Sequence, residues 1–100
     1  MHPDLQLKSV AEKGWSDMAK IEKALKRLSS RPSDFEWSEL KAIMQHFGLE
    51  LKTTGGSGRK FIHPETRAAH FIHEPHPSGI LKAYQVRDAI AFLTKQGYIQ

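Results

Sequence analysis

The sequence predicts an α+β fold: a three-stranded antiparallel sheet with helices before and after it, in the order α-β-β-β-α, plus one extra helix near the N-terminal end. Three observations predict this fold. Apolar residues recur at spacings of three and four near both ends of the chain, as on one face of a helix. Between them lie three short segments that are typical of strands and are separated by glycine and proline. Because their connections are short, the strands are expected to pair antiparallel, with helices covering one sheet face and the other face open.

The first helix is predicted over residues 16–30. Ser16 is a suitable N-cap, and Pro32 ends the helix because the residue before a proline avoids helical backbone angles. Its apolar stripe is covered either by the core of the domain, which we favour for so small a domain, or by another protein molecule. The stripe consists of Met18, Ile21, Leu25 and Leu28.

The second and third helices are predicted over residues 37–47 and 83–96. Each has an apolar face and is followed by a glycine, Gly48 or Gly97, which readily ends a helix. The aromatic and methionine side chains of the second helix share one face, so they are expected to form core rather than a binding site. Residues 98–99 are expected to fold back onto the core. The two apolar faces consist of Trp37, Leu40, Ile43, Met44 and Phe47, and of Val86, Ala89, Ile90 and Leu93.

The strands are predicted over residues 49–53, 59–63 and 68–73. The first alternates apolar and polar residues, and the glycine-rich segment 54–58 connects it flexibly to the second. The segment 74–79 contains two prolines, which lack the N–H that a strand donates to its neighbour. The sheet is therefore expected to end before this segment.

The composition of the 100-residue chain excludes several classes of protein. Its hydrophobic fraction of 39% and charged fraction of 26% are those of one ordered globular domain, without room for a separate cofactor-binding domain. The lack of cysteine excludes a disulfide framework, thiolate metal sites and a cysteine nucleophile. The sequence has no apolar run long enough for a membrane span or a signal core, so we expect a cytoplasmic protein with no membrane partner.

The net charge of +4 is carried by one half of the chain. Residues 1–50 contain eight basic and eight acidic residues, whereas residues 51–100 contain seven basic and three acidic residues. Four of the six histidines also lie in the second half. A basic half is typical of a protein that binds a polyanion, although a basic solvated surface explains the charge equally well.

The glycine-rich segment before the second strand is a candidate phosphate-binding loop. Glycine lets backbone amides approach a phosphate, and Arg59 and Lys60 follow at once with two cations. The segment is not a P-loop, which would open a helix rather than a strand. The alternative is a flexible hairpin turn without a ligand.

Three histidines, His70, His73 and His76, lie in and just after the third strand. Their spacing resembles that of metal ligands, but residues three apart on a strand face opposite sides, and no cysteine or second carboxylate completes a tetrahedral set. We therefore predict no metal and no cofactor. A histidine beside cations can instead take the proton from an RNA 2′-hydroxyl while the cations stabilise the developing charge. The alternative is that all three are surface or hydrogen-bonding side chains.

These residues together resemble the HicA (YcfA-like) toxin family. The similarity covers residues 36–99 as an ordered set of short motifs: Trp37-Ser-Glu-Leu40, Gly48, Gly56-Ser57-Gly58-Arg59, Pro75-His76-Pro77, Leu81-Lys82 and Gly97-Tyr98-Ile99. The resemblance implies a fold similar to a double-stranded-RNA-binding domain. It also implies cleavage of mRNA without the ribosome, and neutralisation by a HicB-like antitoxin that covers the active face.

The sequence departs from the family's pattern at Arg59. The family's catalytic histidine normally follows Gly-Ser-x, and arginine stays protonated, so Arg59 cannot act as the general base. Either the chain is an inactive relative, or His73 or His76 is the base while Arg59 stabilises charge, or the chemistry differs. The residues expected to contact RNA are Gly56, Ser57, Gly58, Lys60, Lys82 and Arg87.

The leading interpretation is the toxin of a type II toxin–antitoxin system, which binds mRNA and, in the catalytic version, cleaves it without a metal. Its RNA surface is expected to recognise shape and 2′-hydroxyls rather than base sequence. The predicted division is an N-terminal extension with one helix, residues 1–33, and a HicA-like domain, residues 34–100. The rival interpretations use the same fold without catalysis, either as an RNA-binding module or as a protein-interaction module.

Overall fold

The computed structural model describes residues 19–100 and contains the predicted elements in the predicted order. The predicted N-cap at Ser16 and the stripe residue Met18 lie outside the described residues. Elsewhere the element bounds differ from the predicted ones by one or two residues. The elements are α1 (residues 19–29), α2 (Trp37–His46), β1 (Glu50–Gly55), β2 (Gly58–Ile62), β3 (Ala69–His73) and α3 (Ala83–Lys95).

The three strands form one antiparallel sheet in the order β1-β2-β3, with β2 in the middle. This confirms the predicted pairing. The register places Lys60 between Lys52 on β1 and Phe71 on β3, and it places Gly58 opposite His73. Since successive strand residues face opposite sides, the side chains of Lys60, Phe71 and His73 share one face of the sheet.

The other face of the sheet carries the core. Phe61 and Ile72 are buried there against the helices, and the ring of Phe61 lies 5.5 Å from the ring of Trp37 on α2. On the opposite face, the side chain of Phe71 is 67% exposed, so the prediction of one covered and one open sheet face is confirmed. The core consists of Ala24, Leu28, Phe35, Trp37, Leu40, Ile43, Met44, Leu49, Phe61, Ile72, Leu81, Val86, Ala89 and Leu93.

Helix α1 packs on this core, as favoured from the sequence. Leu28 is fully buried, but the stripe is displaced from the predicted one because Ala24 is buried while Leu25 is only partly covered. An ion pair fixes the contact to α2, since Arg27 Nε lies 2.8 Å from Glu39 Oε1. This hydrogen bond lowers the pKa of the Glu39 carboxyl below its ordinary value.

Both predicted helix stops are confirmed. Gly48 and Gly97 follow α2 and α3 with φ angles of 90° and 79°, the left-handed region that glycine adopts without strain. The chain then folds back as predicted, because Tyr98 and Ile99 pack against the core. The ring of Tyr98 stacks on that of Phe47 at 4.8 Å, with the two rings 6° from parallel.

His70 is the polar group on the covered side of β3. Its ring lies 5.0 Å from the ring of Phe92, and its Nε2 atom is buried without a hydrogen-bond partner among the described residues. Burial disfavours the charged imidazolium and lowers the pKa of His70, although the carboxylate of Asp88 opposes the shift. His70 is therefore neutral in the folded chain near neutral pH.

Leu28→Ala is expected to lower the free energy of unfolding by about 2–5 kcal/mol, because it removes a fully buried side chain and leaves a cavity between α1 and the core. Lys26→Ala on the exposed side of the same helix is the control and should change it by less than about 0.5 kcal/mol. Urea unfolding followed by circular dichroism measures both. Equal effects of the two variants would show that α1 does not contribute to the core.

Stability is expected to fall as the pH drops below 6.5, the ordinary pKa of histidine. In that range the unfolded chain takes up a proton at His70 before the folded chain does, so protonation favours unfolding. His70→Leu should flatten this part of the profile, whereas His46→Gln, at the exposed end of α2, should keep it. Urea midpoints between about pH 8 and about pH 5 measure the slopes, and identical profiles for wild type and His70→Leu would contradict the assignment.

Candidate functional site

A cleft opens at the end of the sheet, where the β1–β2 turn, the end of β3 and the start of α3 meet. A hydrogen bond of 2.8 Å from the Glu74 amide to the Ser57 carbonyl joins the turn to the segment after β3. The cleft has a volume of about 310 Å³. Its lining residues are Ser57, His73, Glu74, Pro75, His76, Lys82, Tyr84 and Gln85. The fold thus brings together four of the predicted site residues: Ser57, His73, His76 and Lys82.

Arg59 lies beside the cleft, and its guanidinium forms hydrogen bonds and an ion pair with other residues of the chain. Its Nη1 donates to the carbonyl oxygens of Gly56, at 3.0 Å, and Gly58, at 2.8 Å. Its Nη2 lies 2.9 Å from Glu74 Oε1. The guanidinium therefore ties the β1–β2 turn to the segment after β3. Because the carboxylate of Glu74 neutralises its charge, Arg59 is better suited to positioning the turn than to binding a phosphate.

His73 and Ser57 form a hydrogen-bonded pair across the cleft. The Nδ1 atom of His73 lies 3.1 Å from Ser57 Oγ. In the tautomer whose Nδ1–H donates to Ser57, Nε2 keeps its lone pair and is able to accept a proton. The arrangement is thus that of a general base held by an orienting partner.

Gln85 is a site residue that sequence reasoning missed. It is buried, with 5% of its surface exposed, and its side chain bridges two elements. Its Nε2 donates to the His73 carbonyl at 2.9 Å, and its Oε1 accepts from the Lys82 amide at 3.0 Å. One signal for Gln85 was available in the sequence. It lies three residues after Lys82, the residue before α3, and this is the spacing of a capping box. Glu74 and Tyr84, which also line the cleft, had no such signal.

Four of the six predicted RNA contacts, Gly56, Gly58, Lys60 and Arg87, do not line the cleft. Lys60 is on the open sheet face, and Arg87 is on the exposed side of α3, where its Nε lies 3.4 Å from Asp88 Oδ1. Gly56 and Gly58 are at the β1–β2 turn. Their backbone amides were expected to bind phosphate, but it is their carbonyl oxygens that form hydrogen bonds, which they accept from Arg59.

The three histidines after residue 69 do not form one cluster. His70 lies on the covered face against Phe92, whereas His73 and His76 line the cleft. The predicted opposition of residues 70 and 73 on the strand is therefore observed. Across residues 19–100, no three His, Cys, Asp or Glu side chains lie close enough together to hold a metal ion.

Arg59→Gln and Glu74→Gln are expected to destabilise the fold by non-additive amounts, because each breaks the same ion pair. A double-mutant cycle on urea unfolding should give a coupling energy of about 1 kcal/mol. The exposed neighbours Arg87 and Asp88 provide the matched control pair, whose coupling should be near zero. A coupling energy near zero for Arg59 and Glu74 as well would mean that the guanidinium does not hold the cleft together.

Comparison with known proteins identifies the family. A family model described as HicA toxin of bacterial toxin–antitoxin matches residues 37–98, the stretch from the start of α2 to just past α3. The comparisons with curated proteins and with solved structures gave no match. None of the helices between residues 19 and 100 has the length and apolar character needed to cross a membrane. The match spans more than half of the chain and contains the whole cleft, and the chain therefore belongs to the HicA family of toxins of bacterial toxin–antitoxin systems.

Proposed function

We propose that the chain binds RNA in the cleft between the β1–β2 turn and α3, and cleaves it there. The observation that carries the proposal is the Ser57–His73 pair, which places an oriented imidazole 3.1 Å from a hydroxyl in a cleft that Lys82 also lines. The excess of cations over carboxylates after residue 50 supports a polyanionic ligand. Since the proposed substrate is mRNA, we expect the protein to act in the cytoplasm. The family match supports an antitoxin partner, which we expect to be HicB-like and to cover this face.

The chemistry that fits these groups is transesterification. His73 Nε2 takes the proton of a ribose 2′-hydroxyl, and the 2′-oxygen attacks the adjacent phosphorus. The bond from phosphorus to the 5′-oxygen breaks, and that oxygen takes a proton from the imidazolium of His76 or from water. The products are a 2′,3′-cyclic phosphate and a 5′-hydroxyl. The ammonium group of Lys82 stabilises the charge that builds up on the phosphate oxygens.

Arg59 has a different part in this scheme. A protonated guanidinium is not a base, and Glu74 and two carbonyl oxygens already occupy it. It holds the turn that carries Ser57, so its removal changes the orientation of His73 rather than removing a proton acceptor. The base has thus moved from the Arg59 position to the neighbouring strand, where His73 pairs with Gly58.

The alternative is RNA binding without cleavage. It is favoured by the same ion pair, because an arginine neutralised by Glu74 also suits a site that has lost its catalytic group. Binding through phosphate contacts weakens steeply as salt concentration rises. Salt-dependent retention of intact RNA by the wild-type chain would support this alternative over cleavage.

His73→Gln is expected to lower the rate of RNA cleavage about 10²–10⁴-fold, the usual contribution of a positioned general base, while RNA retention stays unchanged. The assay incubates a long RNA with the full chain in the presence of a chelator and identifies the new ends. Ser57→Ala should lower the rate less, because the imidazole keeps its lone pair but loses its orienting partner.

His46→Gln is the matched control, since this histidine is exposed at the end of α2, away from the cleft. It should leave cleavage unchanged. Cleavage that persists at the wild-type rate in His73→Gln would show that His73 is not the base.

A further inference from the structure

Phe71 is an exposed aromatic side chain that neither the core nor the cleft explains. It lies in the middle of β3 with 67% of its surface exposed, while its neighbour Ile72 is buried in the core. A single exposed apolar side chain is common on protein surfaces, so the groups around the ring decide what it can bind. Its place on the open sheet face is fixed by the strand, since Phe71 and Ile72 necessarily face opposite sides.

Two lysines lie in a row on one side of this ring. Lys60, its partner on β2, places Nζ 5.8 Å from the centre of the ring. Lys52 follows on β1 as the next residue across the sheet, with its ammonium 3.6 Å from Glu50. The open face therefore presents a π surface beside positive charge, which is the combination that proteins use to bind the bases and backbone of single-stranded nucleic acid.

A hollow of about 190 Å³ lies next to the ring. Thr54, Gly58, Phe71 and His73 contribute to its wall, together with Arg59 and Ile72. Gly58 is tightly packed in this wall, because a Cβ at this position would meet Thr54 Oγ1 and lie 3.0 Å from the Gly55 carbonyl oxygen. The space is that of one small planar group, and it is too small for a helix or a strand of another protein.

The hollow and the cleft meet at His73, which lines both. A nucleotide whose ribose hydroxyl reaches His73 therefore has its base within reach of the hollow and of the Phe71 ring. A base within a duplex is already stacked on both sides and paired, so it is not available to the ring.

We infer that the hollow above Gly58 is a binding site for one unpaired nucleobase, which stacks on Phe71 beside Lys60. The inference rests on the proposed function, because it names the form of RNA that the cleft accepts. The chain thus selects single-stranded or splayed RNA at the cleavage position, although its fold resembles a domain that binds duplexes.

The test compares Phe71→Leu and Phe71→Trp for binding to a 2′-O-methyl RNA oligonucleotide, which the chain cannot cleave. Leucine keeps an apolar side chain but has no π face, so Phe71→Leu should bind the single strand about tenfold more weakly. Phe71→Trp should bind at least as tightly as the wild type. Both variants should keep the thermal midpoint of the wild type, because the side chain is mostly exposed.

Two further probes identify the group that stacks. An oligonucleotide with abasic residues should bind the wild type as weakly as the intact oligonucleotide binds Phe71→Leu. Phe71→Leu should bind the abasic and the intact oligonucleotides with equal affinity. A fully paired duplex should bind wild type and Phe71→Leu equally.

Single-strand binding by Phe71→Leu at wild-type strength would overturn the base site while leaving the proposed function intact, and the ring would then be a protein contact. Failure of the wild type to bind either RNA, at low salt, would overturn the proposed function itself.

Discussion

The guanidinium of Arg59 holds together two segments that lie far apart in the sequence. It donates to two carbonyl oxygens of the β1–β2 turn and pairs with Glu74 beyond β3. A turn rich in glycine has many accessible conformations, and these contacts select one of them. Ser57 and His73 stand on the segments that the guanidinium joins, so these contacts help to hold the two side chains within hydrogen-bond distance, together with the pairing of Gly58 and His73. The geometry of the cleft therefore depends on an arginine whose guanidinium stays protonated and cannot act as a base.

The helices and the sheet were predictable because local signals agree with the tertiary structure. Glycine ends α2 and α3 where the chain must adopt positive φ, and the apolar faces of these helices point to the core. The register of α1 was harder to predict. Apolar spacing favoured Leu25, whereas in the folded chain Ala24 is buried and Leu25 is only partly covered. The face that α1 turns to the core is set by the elements around it as well as by its own apolar spacing.

The candidate site was predictable only where residue type carries the chemistry. Histidine, serine and lysine at the turn, after β3 and before α3 are recognisable in the sequence, and the resemblance to HicA toxins placed them in order. Glu74 carried no signal, and the spacing of Gln85 indicated a helix cap but not its contact with β3. The guanidinium of Arg59 and the carbonyl of His73 come near these side chains only in the folded chain. The exposure of Phe71 follows from strand alternation once its neighbour Ile72 is assigned to the core.

Two prolines follow β3, and they affect how the molecule can associate with other copies of itself. Strand β3 is an edge of the sheet, and an unpaired edge is a template for association between chains. Pro75 and Pro77 follow it within four residues and have no N–H to donate, so the edge that an incoming strand can use stops at Glu74. The loop that supplies His76 to the site therefore also blunts the edge against aggregation.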